Sequence, residues 1–74
     1  MGQDIKLSAR QAECLRRIAS GETSSQIAAA LNLSRHTVDH YISGACDRLS
    51  ANSRAHAVAI ALVRRLIAPP DAAP

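Results

Sequence analysis

The stretch TSSQIAAALNLSRHTVDHYIS, residues 23–43, constrains the fold more than any other. Two short segments with helical apolar spacing lie back to back, with only Asn32-Leu33-Ser34 between them. Ile27, Ala28 and Leu31 form the stripe of the first; Val38, Ile42, Ala45 and Leu49 form that of the second. A joint this short cannot lay two helices side by side at leisure. It forces a steep crossing and leaves the start of the second helix protruding, which is the geometry of a helix-turn-helix. With the inner stripe fixed, Asp39, His40 and Ser43 point outward and Arg35 and His36 lie near the tip. All five are hydrogen-bonding types. Arg and His can donate to guanine, and Asp can accept from the cytosine amino group, in a major groove. An ordinary helical hairpin with a solvated polar face would show the same spacing.

The flanks extend the helical reading. Ser8-x-x-Gln11 and Thr23-x-x-Gln26 are capping boxes, Leu7 is a candidate staple, and Ser34 and Ser53 are further caps. Ala12, Leu15, Ile18 and Ala19 follow Ser8 at helical spacing, and Gly21 suits a left-handed stop. Asn32 suits the same role after the second helix. The expectation is an all-α, four-helix bundle-like domain with helices at about 8–20, 23–31, 34–49 and 53–67, no strand and no internal repeat. Residues 1–6 are expected to be a flexible leader, 7–67 the domain, and 68–74 a flexible Pro/Ala tail. Gly44 falls inside the third helix, where it costs about 1 kcal/mol relative to Ala. It marks either a close approach to another backbone or to DNA, or a neutral surface position.

The fourth segment is apolar on two sides. Ala55, Val58, Leu62 and Leu66 share one face, and Ile60, Val63 and Ile67 lie opposite. A chain of 74 residues has too small a core to cover both. The second face therefore predicts a partner, with scattered surface aliphatics as the alternative.

Composition closes off other classes. The chain is 47% apolar, but Tyr41 is its one aromatic, so the core must come from Leu, Ile, Val and Ala. The net charge of +3 is compatible with nucleic acid and equally with many small soluble domains. Cys14 and Cys46 have no CxxC spacing and read as reduced thiols of a cytoplasmic protein. No apolar run is long enough for a membrane span. His36 and His40 share a face at i, i+4 but lack a third ligand beyond Asp39 or Tyr41, so no metal and no cofactor are expected. With His36, His40 and His56 as the only imidazoles and no nucleophile–base set, the chain does not read as an enzyme.

From Leu7 to Ile67 the sequence resembles the LuxR-type (GerE-like) helix-turn-helix domain of bacterial transcription regulators. The resemblance rests on LSARQAECLRRIASGETSSQIA, LNLSRHTVDHYIS, the Arg48-Leu49 pair and SRAHAVAIA at 53–61. It implies sequence-specific binding of double-stranded DNA by a homodimer that pairs through the fourth helix, either as the output domain of a larger regulator or as a small stand-alone one. Base readers would be Asp39, His40, Ser43, Arg35 and His36. Thr23, Ser24, Ser25, Ser34, Thr37, Tyr41, Arg48 and Arg54 would hold phosphates, and Ile60, Val63, Arg64 and Ile67 would form the dimer interface. Arg10 and Glu13 match charged first-helix positions better suited to an ion pair than to DNA. A larger regulator or RNA polymerase are further implied partners. The alternative is a protein-interaction module that pairs with a full-length relative through helix 53–67 and modulates it.

The chain departs from the family where Gln26 replaces Glu, Tyr41 replaces His, Ser50 replaces Gly, Gly44 replaces Asn and, above all, Asp39 replaces Lys. An acid at position 39 lowers general DNA affinity and either selects cytosine or is held by Arg35 or His36.

Overall fold

The computed structural model describes residues 5–70. They form four helices: α1 (Ala9–Ala19), α2 (Ser24–Leu31), α3 (Arg35–Leu49) and α4 (Arg54–Val63). Among the described residues there is no strand, and no helix is long and apolar enough to cross a membrane.

Each helix starts at the residue whose side chain can replace a missing backbone partner. The hydroxyls of Ser8, Thr23, Ser34 and Ser53 accept from the N–H groups of Gln11, Gln26, Thr37 and His56. At Ser8 and Thr23 the boxes close reciprocally: the Gln11 and Gln26 side chains accept from the N–H of the capping residue, at 2.9 and 2.8 Å.

Each helix also stops in the same way. Gly21, Asn32, Ser50 and Arg65 adopt positive φ, and the next N–H reaches back to the last turn. Glu22 N–H bonds to Arg17 O, Leu33 to Ala28 O, Ala51 to Cys46 O and Leu66 to Ala61 O. Only the first of these stops uses glycine. The other three hold an L side chain in a left-handed conformation that is costly for it.

α4 is therefore shorter than its apolar spacing suggests. It ends at Val63, not near 67, because Arg65 at φ 60° turns the chain back. Ile67 is thereby carried into the core, where it is 7% exposed, instead of lying on the outer face of a longer helix. The inner line of α4 also differs from expectation. It runs through Ala57 and Ala61, both fully buried, while Ala55 is exposed. Alanine carries too weak a periodic signal to reveal this from sequence, yet it lets helix axes approach closely.

The core has two lobes. Cys14, Ile27, Ala28, Val38 and Ile42 join α1, α2 and α3; Ile18, Leu31, Leu33 and Tyr41 pack against them. Leu15, Ala45, Leu49, Ala57, Ala61 and Ile67 join α1, α3, α4 and the segment after it. The half-buried Cys46 touches both lobes. α1 packs on each of the other helices, whereas α2 and α4 do not pack directly on one another. Leu15, Ile27, Val38 and Ile42, each at most 1% exposed, contribute about 1.5–3 kcal/mol apiece by burial. Both cysteines are free, and burial pushes the Cys14 thiol pKa above its ordinary value.

At the amino end, Ile5 packs against the second lobe and the carbonyl of Lys6 accepts from Arg48, so these two residues are not part of a loose leader. The rest of the expected leader, 1–4, and the end of the expected tail, 71–74, lie outside the described residues. Within the chain, Gly44 closely approaches a side chain, not another backbone. A Cβ there would sit 2.8 Å from the amide nitrogen of Gln11, so the glycine makes room for the α1 capping glutamine. The expected Arg10–Glu13 pair is present at 3.6 Å. Glu13 also meets Arg16 and Arg17 (3.5 and 3.3 Å), and Arg17 reaches on to Glu22 at 3.2 Å.

Candidate nucleic-acid interface

The joint between α2 and α3 is three residues with three tasks. Asn32 takes the left-handed conformation (φ 57°, ψ 45°), Leu33 turns its side chain against the first lobe, and Ser34 caps α3. Val38 and Ile42, 0% and 1% exposed, pin one side of α3 inward. The opposite side then follows from the 3.6-residue period. His36, His40 and Ser43 are exposed there, with Thr37 and Tyr41 half-buried beside them, and Arg35 is exposed at the first turn on the Asp39 flank. Three of the five expected base readers, His36, His40 and Ser43, thus share an open, hydrogen-bonding face, and Arg35 stands exposed at the amino-terminal end of α3.

Asp39, the fifth, is already engaged. Its Oδ1 accepts from Ser24 Oγ at 2.7 Å and from Arg54 Nη2 at 2.8 Å. Arg54 Nη1 donates to Ser24 Oγ at 2.8 Å, which closes a triangle across α2, α3 and α4. Arg35 Nε stands 3.8 Å from Asp39 Oδ2. The Ser24 hydroxyl and then the Arg54 guanidinium hold the Asp39 carboxyl below the usual carboxylate range. Arg35 is one of the two partners expected from sequence; the closer partners, Ser24 and Arg54, were not foreseen. Both lie far along the chain, 15 residues from Asp39 in each direction. No helical period connects them, and only the crossing of the helices brings them together.

This triangle revises two expected phosphate contacts. Ser24 is 7% exposed and its hydroxyl is spent inside the protein, so it does not present a free donor to solvent. Arg54 is exposed, but its guanidinium is directed at Asp39 and Ser24. Thr23 and Ser34 use their hydroxyls as caps, and Ser34 also donates to Thr37 Oγ1 at 2.9 Å. Ser25 is exposed in the first turn of α2. Arg48 is exposed and donates one N–H to Lys6 O at 3.1 Å. Ile18, Glu22, Thr23, Ser24, Ser25, Arg35 and Arg54 line a shallow groove beside the α2 amino terminus.

A second surface lies on α4. Leu49, His56, Ala59, Ile60, Val63 and Arg64 line a shallow, mostly apolar groove, with Val63 82% exposed. It holds three of the four expected interface residues. The fourth, Ile67, is a core residue on the other side of the reversal at Arg65. Among the described residues, no three His, Cys, Asp or Glu side chains gather as a metal-ligand set.

Known proteins share this architecture. The family model "Bacterial regulatory proteins, luxR family" matches residues 6–61. The chain is 43% identical over 54 residues to the probable transcriptional regulatory protein SgaR of Hyphomicrobium methylovorum, covering 73% of this chain and 26% of that protein. It is 38% identical over 65 residues to the quorum sensing-dependent transcriptional regulator VjbR of Brucella ovis, covering 88% of this chain and 25% of the other. With the transcriptional activator VanR of Vibrio anguillarum the identity is 36% over 63 residues, covering 85% and 26%. The chain spans about a quarter of the length of these curated relatives. Among solved structures, the Vibrio cholerae VqmA dimer, a LuxR-type receptor determined without its target DNA, superimposes with a TM-score of 0.80. That match has 28% identity and covers 89% of this chain and 31% of the other. Four capped helices, the three-residue joint and the match over residues 6–61 lead to one assignment: the chain belongs to the luxR family of bacterial regulatory proteins and carries that family's helix-turn-helix DNA-binding domain.

Proposed function

We propose that this domain binds double-stranded DNA as a homodimer, with α3 in the major groove, and serves as the output part of a LuxR-type transcriptional regulator. One observation carries the reading. His36, His40 and Ser43 are exposed together on the side of α3 opposite the buried Val38, Ile42, Ala45 and Leu49, with Arg35 exposed at the first turn beside Asp39. The tight joint at Asn32-Leu33-Ser34 starts α3 directly after α2, and His36, His40 and Ser43 remain exposed. His40 and Ser43 read base edges, with Arg35 and His36 at the entry of the helix. Ser25, Thr37, Tyr41, Arg48 and the amino termini of α2 and α3 hold the backbone. Two copies paired through Ile60, Val63 and Arg64 read half-sites about one DNA turn apart.

Selection of bound sequences from randomised DNA, followed by gel shifts over a range of salt, tests this. The expected result is a two-fold symmetric motif whose affinity falls steeply with salt. The absence of an enriched motif, or an affinity indifferent to salt, would remove the reading. His40→Ala is expected to relax preference at one position per half-site by about 1–3 kcal/mol.

The apolar groove on α4 favours a second reading. Val63 is 82% exposed, and the same face could pair this chain with a full-length relative and modulate it. Sedimentation and co-purification separate the two. A self-associating chain that shifts DNA supports the first reading. A chain that captures a larger regulator but shifts no DNA supports the second.

A further inference from the structure

The triangle of Ser24, Asp39 and Arg54 lies at the edge of the face that meets DNA in the proposed function, on which this inference rests. The Asp39 carboxylate is already engaged within the protein. Oδ1 already accepts two short hydrogen bonds, from Ser24 and Arg54, and Oδ2 faces Arg35 at 3.8 Å. Among the described residues Oδ2 accepts no hydrogen bond, but turning the carboxylate out to a cytosine amino group would loosen the two charge-assisted bonds on Oδ1 in exchange for one to a neutral donor. What the surrounding groups form is an anion seat. A hydroxyl from α2, a guanidinium from α4 and a second guanidinium from the first turn of α3 converge on one negative group. Because α2 and α4 do not pack directly on each other, Arg54 is the link that spans them. The seat is open to solvent, with the side chains of Asp39, Arg54 and Arg35 36%, 46% and 71% exposed.

We propose that Asp39 is an internal counter-ion rather than a base reader: its carboxylate occupies a seat, built by Ser24, Arg54 and Arg35, that otherwise takes a DNA phosphate. Asp39 is thus a positioning residue for Arg54. By keeping this arginine off the DNA backbone it lowers sequence-independent affinity and leaves more of the discrimination to the base contacts of α3. A protein that must ignore most DNA gains selectivity from weaker phosphate binding, since phosphate contacts strengthen every site alike.

The test is a double-mutant cycle on the full chain: wild type, Asp39→Asn, Arg54→Gln and both together, titrated with the selected DNA and with a scrambled duplex across a salt series. Asn at 39 still accepts from Ser24, and a thermal melt of each variant checks that it folds. Asp39→Asn is expected to tighten binding to both duplexes and to steepen the dependence of log Kd on log salt by about 1.8 for the homodimer, the value for one more phosphate contact in each protomer. Each such contact corresponds to roughly eight-fold at 0.1 M salt. In the Arg54→Gln background most of the gain should disappear, because only the more distant Arg35, 3.8 Å from Oδ2, remains to be freed. An equal gain in both backgrounds would reduce Asp39 to a generic negative charge and overturn the proposal. So would a change of preferred base with an unchanged salt slope, which is the signature of a base reader. In either case the wild-type protein still binds its selected DNA, and the proposed function stands. If neither wild type nor Asp39→Asn binds DNA, the proposed function falls, and the inference with it.

Discussion

The outer faces of α3 and α4 arise from the same kind of pattern, an inner apolar line with residues left over on the other side. They come to opposite ends. On α3 the leftover side is polar and partly wired into the protein, since Asp39 is tied to Ser24 and Arg54 and Thr37 to Ser34. On α4 the leftover side is apolar and open, with Val63 82% exposed beside Ile60 and Arg64. A polar face is thus not automatically a free one. Some of its groups hold the helices at their crossing, and only the remainder, His36, His40 and Ser43, is at liberty to meet another molecule. On the apolar face Ile60 leans half-buried against the second lobe, but Val63 has no such internal obligation, which is why the face reads as a contact surface.

The largest effect expected from this contrast lies beneath the faces. Ile42→Ala, on the buried side of α3, should destabilise the chain by about 2–5 kcal/mol in urea unfolding. Val63→Ala on the open side of α4 should change it by no more than about 0.5 kcal/mol at low protein concentration. Comparable losses would mean that α4's outer face is already covered, and the contrast would break.

Next comes the wiring of α3. Ser24→Ala removes a buried hydroxyl that serves two charged partners and should cost about 1–3 kcal/mol by the same measurement. A neutral result would place Ser24, Asp39 and Arg54 among incidental surface contacts and make the two faces alike.

The helix ends offer a finer comparison. Ser50 after α3 and Arg65 after α4 both adopt positive φ without being glycine. Ser50→Gly and Arg65→Gly should each raise the melting point, through roughly 1 kcal/mol of relieved backbone strain. A loss at Arg65 alone would give its side chain a task on the α4 side that the backbone does not reveal.

The smallest effect should appear on acidification. The folded-state pKa of Asp39 is below its unfolded value near 3.8, chiefly through Ser24 and then Arg54. Its contribution to stability is therefore present above about pH 4 and lost as the pH falls through the lower, folded-state value. Wild type should lose stability more steeply below pH 4 than Asp39→Asn, as read by thermal melts at stepped pH. Parallel curves would mean that the carboxylate is not held as the distances indicate.

Much of this was legible along the chain, for a common physical reason. The caps at Ser8, Thr23, Ser34 and Ser53, both capping boxes, the stop at Asn32 and the inner stripe of α3 all depend on residues three or four apart. Helical geometry alone decides such relations. Read in that way, the sequence by itself determined four helices, their starting points, the tight joint and the open side of α3.

The tertiary structure decided the rest. It chose Ala57 and Ala61 as the buried line of α4, because alanine sits equally well inside or outside until a neighbouring helix comes close. It brought Ile67 into the core through a left-handed Arg65, a conformation that no residue preference at that position announces. It placed Gly44 beneath Gln11. And it gave Asp39 its partners, one from α2 and one from the start of α4, through a crossing of helices that fixes distances between side chains 15 residues and more apart. Spacing within one helix cannot encode such a meeting, because it depends on how the helices pack and not on their own period.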